Sequence, residues 1–507
     1  MSLPRNDKKN DSVYYISLFV VVAIVLWGLL APEHFGAFAK SLFNGLTDYY
    51  GWGYMLTMNI FVIFCVFMGF SRFASVRLGE PDSRPEYSDF SWFAMLFSAG
   101  MGVGLVFYGA AEPLNYFVSL PTDAPAGSIT AARDALRISF FHWGLHPWAG
   151  YVVIALPLTY YTFRHNKPGL ISTIFIPLVG EERVNGWFGK LVDILAIFAT
   201  VAGVCTSLGL GVLQLNSGLN VLFGVPKTMT VQIVLIIIFC GSYLTSALLG
   251  LEKGIKNLSN INIFLCMVLM LLLLIVGLTM PMIQSLMTGI GDYFSHLISD
   301  SFHMSAYGGA YEGHLKGWTL YYWAWWIAWA PFVGSFIARV SKGRTIREFV
   351  LGCLFIPALG SFTWFAIFGT AGLHLELVRN IKIAADVLKD VSVGTFEMYK
   401  YYPFGQIMSY LMMILIMTFF VTSADSCSFV LGMYSTQGVM DPPKIRVAIW
   451  GSLMGALAVV LLTTGGLQNL QTVSLTAAPP FSIIMLCACA ALVKGLQDEE
   501  KKGLLKL

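Results

Sequence analysis

Apolar runs of membrane-spanning length recur along this chain and constrain its fold more than any other feature. A helix needs about 20 predominantly apolar residues to cross the hydrocarbon core of a bilayer. With 57% hydrophobic and 12% charged residues, the chain lies outside the range of soluble domains. We therefore predict an all-α polytopic membrane protein with twelve transmembrane helices, numbered spans 1 to 12, near residues 13–31, 51–70, 89–119, 137–163, 187–222, 229–250, 260–287, 318–341, 346–374, 404–437, 445–464 and 478–494.

The distribution of Lys and Arg predicts how these helices are oriented. The amino terminus, the loops after the even-numbered spans and the tail carry 22 of the 31 basic residues. Because basic loops stay on the cytoplasmic side, both termini of this multi-pass protein are predicted to be cytoplasmic. The formal charge of +3 reflects this bias, and nothing in the sequence indicates a nucleic-acid partner.

The segment 317–334, GWTLYYWAWWIAWAPFVG, contains five of the thirteen tryptophans. At about 100° per residue, four of its aromatic side chains fall in one stripe roughly 60° wide, with Trp326 beside it. We call this face of span 8 the aromatic wall; it consists of Trp318, Tyr322, Trp325, Trp326 and Trp329.

Three interpretations of the aromatic wall remain open from its pattern alone. An interfacial belt is common in membrane proteins, but the wall rises roughly 16 Å, from the surface to the middle of the bilayer. Core packing is a second possibility, although each buried indole N–H then needs a partner. The third is a cage for a quaternary ammonium group, whose diffuse charge is attracted to aromatic faces by about 2 kcal/mol or more when desolvated.

Span 3 contains glycines at alternate positions, Gly100, Gly102 and Gly104, in FSAGMGVGLVFYGAAEP. Glycine often serves close helix packing in membranes, but that use follows a spacing of four residues. A spacing of two cannot keep one helix face, and each glycine costs about 1 kcal/mol in a helix. We therefore predict an unwound segment whose exposed backbone groups line a cavity.

Hydroxyl groups cluster in span 10, in the sequence FFVTSADS, around Thr422, Ser423 and Asp425. Hydroxyl and carbonyl oxygens suit a small hard cation such as Na⁺, while an interhelical hydrogen-bond network is the alternative. Pro331 and Gly334 are predicted to interrupt span 8. Spans 3 and 8 would then open two five-helix repeats with a binding site at mid-membrane.

These segments resemble the betaine/choline/carnitine transporter family. The resemblance is carried by GWTLYYWAWWIAWAPFVGSFIARVSKGRTIREF, FSAGMGVGLVFYGAAEP, FHWGLHPWAGY and FFVTSADS, and it covers nearly the whole chain. It is closest to bacterial sodium-coupled glycine betaine carriers. It implies two inverted repeats, spans 3–7 and 8–12, and a homotrimer. The predicted divisions are residues 1–88, a first repeat 89–288, an external connector 289–317, a second repeat 318–494 and a short tail 495–507.

The resemblance also implies site residues. Gly100, Met101, Gly102 and Gly104 correspond to the family's substrate-contacting segment, and Trp318 and Trp323 to its approach path. The implied substrate cage consists of Trp143, Trp148, Tyr151, Trp325, Trp326 and Trp329. The implied sodium ligands are Ser98, Met101, Phe419, Thr422 and Ser423, with Thr200 in a second site.

Two positions favour a sodium-coupled zwitterion carrier within the family. Proton-coupled choline carriers place an acid where this chain has Gly104, and sodium-independent carnitine exchangers place an arginine where it has Asn262. We therefore expect glycine betaine import by sodium symport, with Na⁺ as the coupling ion, no other metal and no cofactor. Choline or carnitine uptake and sodium-independent exchange remain alternatives.

Two other classes of function are disfavoured. A membrane enzyme acting on a quaternary amine needs a nucleophile, metal or redox cofactor beside the cage, and none is visible in the sequence. An osmosensor without transport needs an output domain that the short termini do not supply.

Overall fold

The computed structural model describes residues 11–120, 122, 124–249 and 252–505. Residues 1–10, which contribute to the predicted orientation, lie outside the described residues. Within that part of the chain the fold is all-α, with no strand. The helices of the first half that exceed ten residues are α1 (Ser12–Leu30), α2 (Pro32–Phe70), α3 (Asp89–Gly100), α4 (Val103–Ser119), α5 (Ile129–Trp143), α6 (Leu145–Thr159), α7 (Trp187–Phe223) and α8 (Met229–Leu249).

The second half follows the same pattern. Its long helices are α9 (Glu252–Val276), α10 (Thr279–Ser301), α11 (Leu320–Val340), α12 (Ile346–Leu377), α13 (Gly405–Tyr434) and α14 (Lys444–Lys501). Shorter helical segments join them at 72–75, 160–164, 171–175, 176–179, 181–184, 311–314, 315–319, 384–389, 391–393 and 394–399. The core forms where α7 packs along α14 and α11 packs along α6.

Span 3 is broken where the glycines predict. Helix α3 ends at Gly100, and Met101 is extended at φ −123° and ψ 110°. Gly102 is also non-helical, at φ −120° and ψ −136°, before α4 begins at Val103. The two helices are bent by 71°. The predicted unwound segment is therefore confirmed.

The predicted interruption of span 8 is wrong. Helix α11 runs without a break from Leu320 to Val340, through Pro331 and Gly334. Proline is tolerated in membrane helices because neighbouring helices, side chains and local adjustments satisfy the freed backbone groups, and Pro331 is buried within α11. Gly334 serves packing, because a Cβ there would lie 2.7 Å from Cγ2 of Ile154 on α6.

Several predicted boundaries also differ from the structure. Span 4 is divided at Gly144 into α5 and α6, and span 7 ends at Val276 instead of residue 287. The predicted connector 289–317 is largely helical, because α10 extends to Ser301. Spans 11 and 12 lie in α14, which turns at Gly466, where φ is 57° and ψ −135°.

Eight helices of the described residues are long and apolar enough to cross a membrane, or nine if α3 and α4 form one broken span. This confirms a polytopic all-α membrane protein. Helix α14, with 58 residues, is long enough for two crossings. The exact number of twelve, and the inverted repeats, stay predictions.

Ion pairs place both ends of the described chain on one side of the molecule. Asp11 pairs with Arg446 at 2.8 Å, and Glu499 with Arg164 at 2.9 Å. Arg164 immediately precedes the loop after span 4, and Arg446 follows the loop after span 10, so these two loops lie beside the termini. The structure therefore agrees with the prediction that the loops after even-numbered spans lie on the same side as the termini. The assignment of that side to the cytoplasm stays a prediction.

The contact between α4 and α12 leads to a testable prediction. A Cβ on Gly109 would overlap the indole of Trp364 on α12. We expect Gly109→Val to lower the free energy of unfolding by about 1–3 kcal/mol, because the tightly packed helices must separate. The apparent melting temperature of the detergent-purified protein measures this effect.

Gly241→Val is the matched control, because nothing lies within 4 Å of a Cβ at Gly241 on α8. Equal melting temperatures for the two variants would contradict the close packing of α4 on α12.

Candidate functional site

The broken helix, the aromatic wall and the aromatic residues of span 4 meet at the glycine segment. A Cβ on Gly104 would overlap Cη2 of Trp325 and lie 3.1 Å from Cη2 of Trp143. A Cβ on Gly100 would overlap the Trp148 indole. The indoles can pack this closely against the backbone only because these positions lack side chains.

Gly102 connects the aromatic residues to the hydroxyl cluster. A Cβ at this position would lie 3.6 Å from Cη2 of Trp329 and 3.4 Å from Oγ of Ser423. Three segments that are far apart in sequence therefore converge at Gly102. Met101, between the glycines, is fully buried.

The six residues predicted for the cage lie together, and we call them the aromatic cage. Trp325 and Trp326 stack with centroids 4.8 Å apart at 15°, and Trp143 meets Trp326 edge-on at 4.9 Å. Trp329 lies 6.2 Å from Trp325. Each cage side chain is at most 2% exposed; the members are Trp143, Trp148, Tyr151, Trp325, Trp326 and Trp329.

Three indoles of the aromatic cage are held in place by their N–H groups. The Nε1 of Trp325 donates to the Gly203 carbonyl at 3.2 Å, and that of Trp326 to the His142 carbonyl at 3.1 Å. The Nε1 of Trp143 donates to Glu112 at 2.9 Å. These hydrogen bonds fix the ring planes and leave the aromatic faces as the contact surface.

Other polar groups of the candidate site have no hydrogen-bond partner within the described part of the chain. They are Nε1 of Trp148, Nε1 of Trp329, the Tyr151 hydroxyl and the Thr200 hydroxyl. An unsatisfied buried polar group costs about 1–3 kcal/mol, and native proteins have few of them. Their concentration beside the glycine segment points to a ligand with hydrogen-bond acceptors.

The two outer tryptophans of segment 317–334 have different surroundings. Trp318 packs against Tyr116 at 4.9 Å and Tyr108 at 5.7 Å, above the aromatic cage. Trp323 stacks on His146 at 4.9 Å, and its Nε1 contacts Sδ of Met55 at 3.0 Å. Trp323 therefore packs in the core against α2 and α6, which is not the position expected of a residue on an approach path.

The predicted sodium ligands of span 10 lie on α13 beside the broken helix. The Thr422 hydroxyl lies 2.9 Å from the Thr418 carbonyl and 3.1 Å from the Phe419 carbonyl, to which it donates, and Nδ2 of Asn262 donates to the Thr422 hydroxyl at 3.2 Å. The Oγ of Ser423 faces Gly102. Ser98 lies in the last turn of α3, just before the break.

Thr200, proposed for a second ion site, lies elsewhere. It is on α7, one turn before Gly203, whose Cβ would lie 2.5 Å from Cδ1 of Trp329. Thr200 is therefore associated with the aromatic side of the site.

Glu112 is the residue that the sequence analysis missed. It is a fully buried carboxylate on α4, and it contacts Trp143, Tyr322 and His142. The signal was present, because an acid inside an apolar span is expensive and marks function by default. It was overlooked since the glycines of the same motif drew the interpretation to the backbone.

Comparison with known proteins agrees with this geometry. Residues 12–501 match the profile of the betaine/carnitine/choline family of transporters. The chain is 46% identical to the glycine betaine transporter OpuD of Bacillus subtilis over 495 residues, covering 98% of this chain and 96% of that protein.

Other relatives also match nearly the whole chain. The ectoine/hydroxyectoine transporter of Virgibacillus pantothenticus is 42% identical, covering 97% of this chain and 98% of that protein. A glycine betaine transporter of Acinetobacter baylyi is 40% identical, covering 97% of this chain and 74% of that protein. The chain therefore belongs to the betaine/carnitine/choline family, and it is a membrane transporter rather than an enzyme.

Proposed function

We propose that this protein imports glycine betaine by sodium symport. The main support is the convergence of the glycine segment with the aromatic cage, because this arrangement brings aromatic side chains and the non-helical backbone at Met101 and Gly102 into one buried place. Two relatives that are 40–46% identical are glycine betaine transporters.

The two ends of glycine betaine need different surroundings. Its trimethylammonium group cannot donate conventional hydrogen bonds, and it would contact the faces of Trp325, Trp326 and Trp329. Its carboxylate would accept hydrogen bonds from the backbone between Gly100 and Gly104 and from the unpartnered Nε1 of Trp148. The substrate thereby satisfies groups that are otherwise costly to bury.

Sodium would bind between the broken helix and α13. Its ligands would be the backbone oxygens near Ser98 and Met101, the Phe419 carbonyl, and the hydroxyls of Thr422 and Ser423. Sodium prefers such hard oxygen ligands, and an ion here would hold the Met101–Gly102 segment in one conformation. Thr200 remains a candidate for a second ion.

Coupling follows from this shared conformation. Because ion and substrate both favour the same shape of the glycine segment, each tightens the other by an equal factor, typically worth 1–3 kcal/mol. Rocking of one helix bundle against the other would then close the outer path and open the inner one.

Related substrates are the second candidates. Ectoine is also a zwitterion with a delocalised cation, and one relative at 42% identity transports ectoine and hydroxyectoine. Choline and carnitine share the trimethylammonium group, and sodium-independent exchange is the alternative mechanism. Competition of betaine, ectoine, choline and carnitine against labelled betaine uptake ranks these substrates.

The cellular setting is also part of the proposal. We place the protein in the bacterial plasma membrane with both termini cytoplasmic, since basic residues concentrate on the side that holds the termini. We further propose a homotrimer and a role in osmoprotection, both by resemblance to the family.

Replacing sodium tests the coupling. Uptake of radiolabelled glycine betaine into a transport-deficient bacterial host should fall at least about tenfold when Na⁺ is exchanged for K⁺, because the glycine segment loses its ion. The empty host gives the background. Undiminished uptake in K⁺ would refute sodium symport while leaving betaine transport intact.

Trp326→Leu tests the aromatic cage. The variant loses one aromatic face, whose attraction for the ammonium group is worth about 2 kcal/mol. The half-saturation concentration for betaine should therefore rise at least about tenfold, while the amount of protein in the membrane stays unchanged. Trp187→Leu is the matched control, since Trp187 is 76% exposed at the start of α7. Normal half-saturation in Trp326→Leu would remove this ring from the binding site.

Thr422→Val tests the sodium site by removing one hydroxyl with little change in shape. The sodium concentration for half-maximal uptake should rise at least about tenfold, because a direct ligand is lost. Thr418→Val, one turn earlier on the same helix, is the control, since the Thr418 hydroxyl bonds only to carbonyls of its own helix, those of Ile414 and Leu415. Equal sodium dependence in the two variants would argue against this site.

A further inference from the structure

We infer that Glu112 is the fixed negative charge of the substrate site and that it makes the aromatic cage select a cation over a neutral group of the same shape. The inference rests on the proposed function. It assigns a specificity-determining role to a side chain that lies behind the cage rings and is outside the substrate contacts predicted from the sequence.

The carboxylate of Glu112 is surrounded by hydrogen-bond donors. Its Oε2 accepts from Nε1 of Trp143 at 2.9 Å and from the Tyr322 hydroxyl at 2.5 Å. Its Oε1 lies 3.0 Å from Nδ1 of His142. Oε2 thus accepts two hydrogen bonds, and Oε1 accepts a third when the proton of His142 is on Nδ1, which is the pattern of an ionised carboxylate.

Within the part of the chain that the structure describes, neither Lys nor Arg pairs with Glu112; its one ion-pair contact is His142. The Thr319 hydroxyl lies 3.0 Å from Nε2 of that ring. A neutral imidazole with its proton on Nδ1 can therefore donate to Glu112 and accept from Thr319. In this tautomer an ionised Glu112 would carry one negative charge, held by hydrogen bonds and not cancelled by a Lys or Arg of the described residues.

This charge lies one ring away from the proposed ammonium position. Trp143 is a cage member, and Tyr322 stacks 5.8 Å from Trp326 and 6.3 Å from Trp325. Both of these donors touch Glu112 with their polar edge and present their aromatic surface to the other cage rings. A carboxylate behind the rings is separated from the ammonium position by low-dielectric surroundings. In such surroundings the attraction between two unit charges stays strong over several ångströms.

The same charge has two effects on a zwitterion. It attracts the trimethylammonium group into the aromatic cage, adding to the attraction of the ring faces. It also repels the substrate carboxylate from that end, so that the carboxylate is directed to the glycine segment. Cation selection and substrate orientation would then come from one residue.

The experiment compares two ligands of equal shape and different charge. In 3,3-dimethylbutyrate a carbon replaces the quaternary nitrogen of glycine betaine. Equilibrium binding of both to the purified full-length protein in saturating sodium is followed by tryptophan fluorescence. The ratio of the two dissociation constants measures the preference for the cation.

We expect Glu112→Gln to reduce this ratio at least about tenfold, with the loss confined to glycine betaine, since the charge disappears and the side-chain shape stays. An equal weakening of both ligands would reduce Glu112 to a structural support and overturn the inference. An unchanged dissociation constant for betaine would overturn it as well.

Asp193→Asn is the matched control, because Asp193 is a buried carboxylate bonded to Ser172, away from the aromatic cage. It should leave the ratio unchanged. If Glu112→Gln does not reach the membrane, Glu112→Asp keeps the charge, and loss of the cation preference in that variant would contradict the inference. Wild-type protein that binds no glycine betaine would instead refute the proposed function.

Discussion

The close approach of indole rings to the backbone between Gly100 and Gly104 is the contact on which the candidate site depends. Trp148 and Trp325 occupy the space that side chains at Gly100 and Gly104 would fill. This contact requires glycine at both positions, and the helix is broken between them, at Met101 and Gly102. The same break exposes peptide groups beside the aromatic cage. One local irregularity thus supplies both the room for the rings and the polar backbone.

The buried indole N–H groups of the site are of two kinds: some donate to protein acceptors, and others have no partner in the part of the chain that the structure describes. The Nε1 groups of Trp143, Trp325 and Trp326 have partners, so their rings are fixed before any ligand arrives. The Nε1 groups of Trp148 and Trp329 have none within the described residues. Such preorganisation lowers the entropy cost of binding. The unpartnered N–H groups can donate hydrogen bonds to the carboxylate of a zwitterion.

Local sequence patterns predicted those parts of the fold that depend on neighbouring residues alone. Apolar runs indicated nearly every long helix, and the glycine spacing predicted the break in span 3. The pattern was wrong at Pro331 and Gly334, where α11 stays continuous and Gly334 packs closely on Ile154 of α6. It also gave no sign of the break at Gly144, where the N–H of Leu145 bonds to the hydroxyl of Tyr293 on α10. These partners are distant in sequence, so no local pattern contains them.

By itself the sequence determined the class of protein, the broken span and most of the residues of the site, because hydropathy, glycine spacing and aromatic clustering are properties of neighbouring residues. Only the tertiary structure decided which groups meet. It placed Trp323 in the core and brought Glu112 behind Trp143 and Tyr322. The reason is physical: a buried polar group is defined by its partners, and those partners come from helices that meet only when the chain is folded.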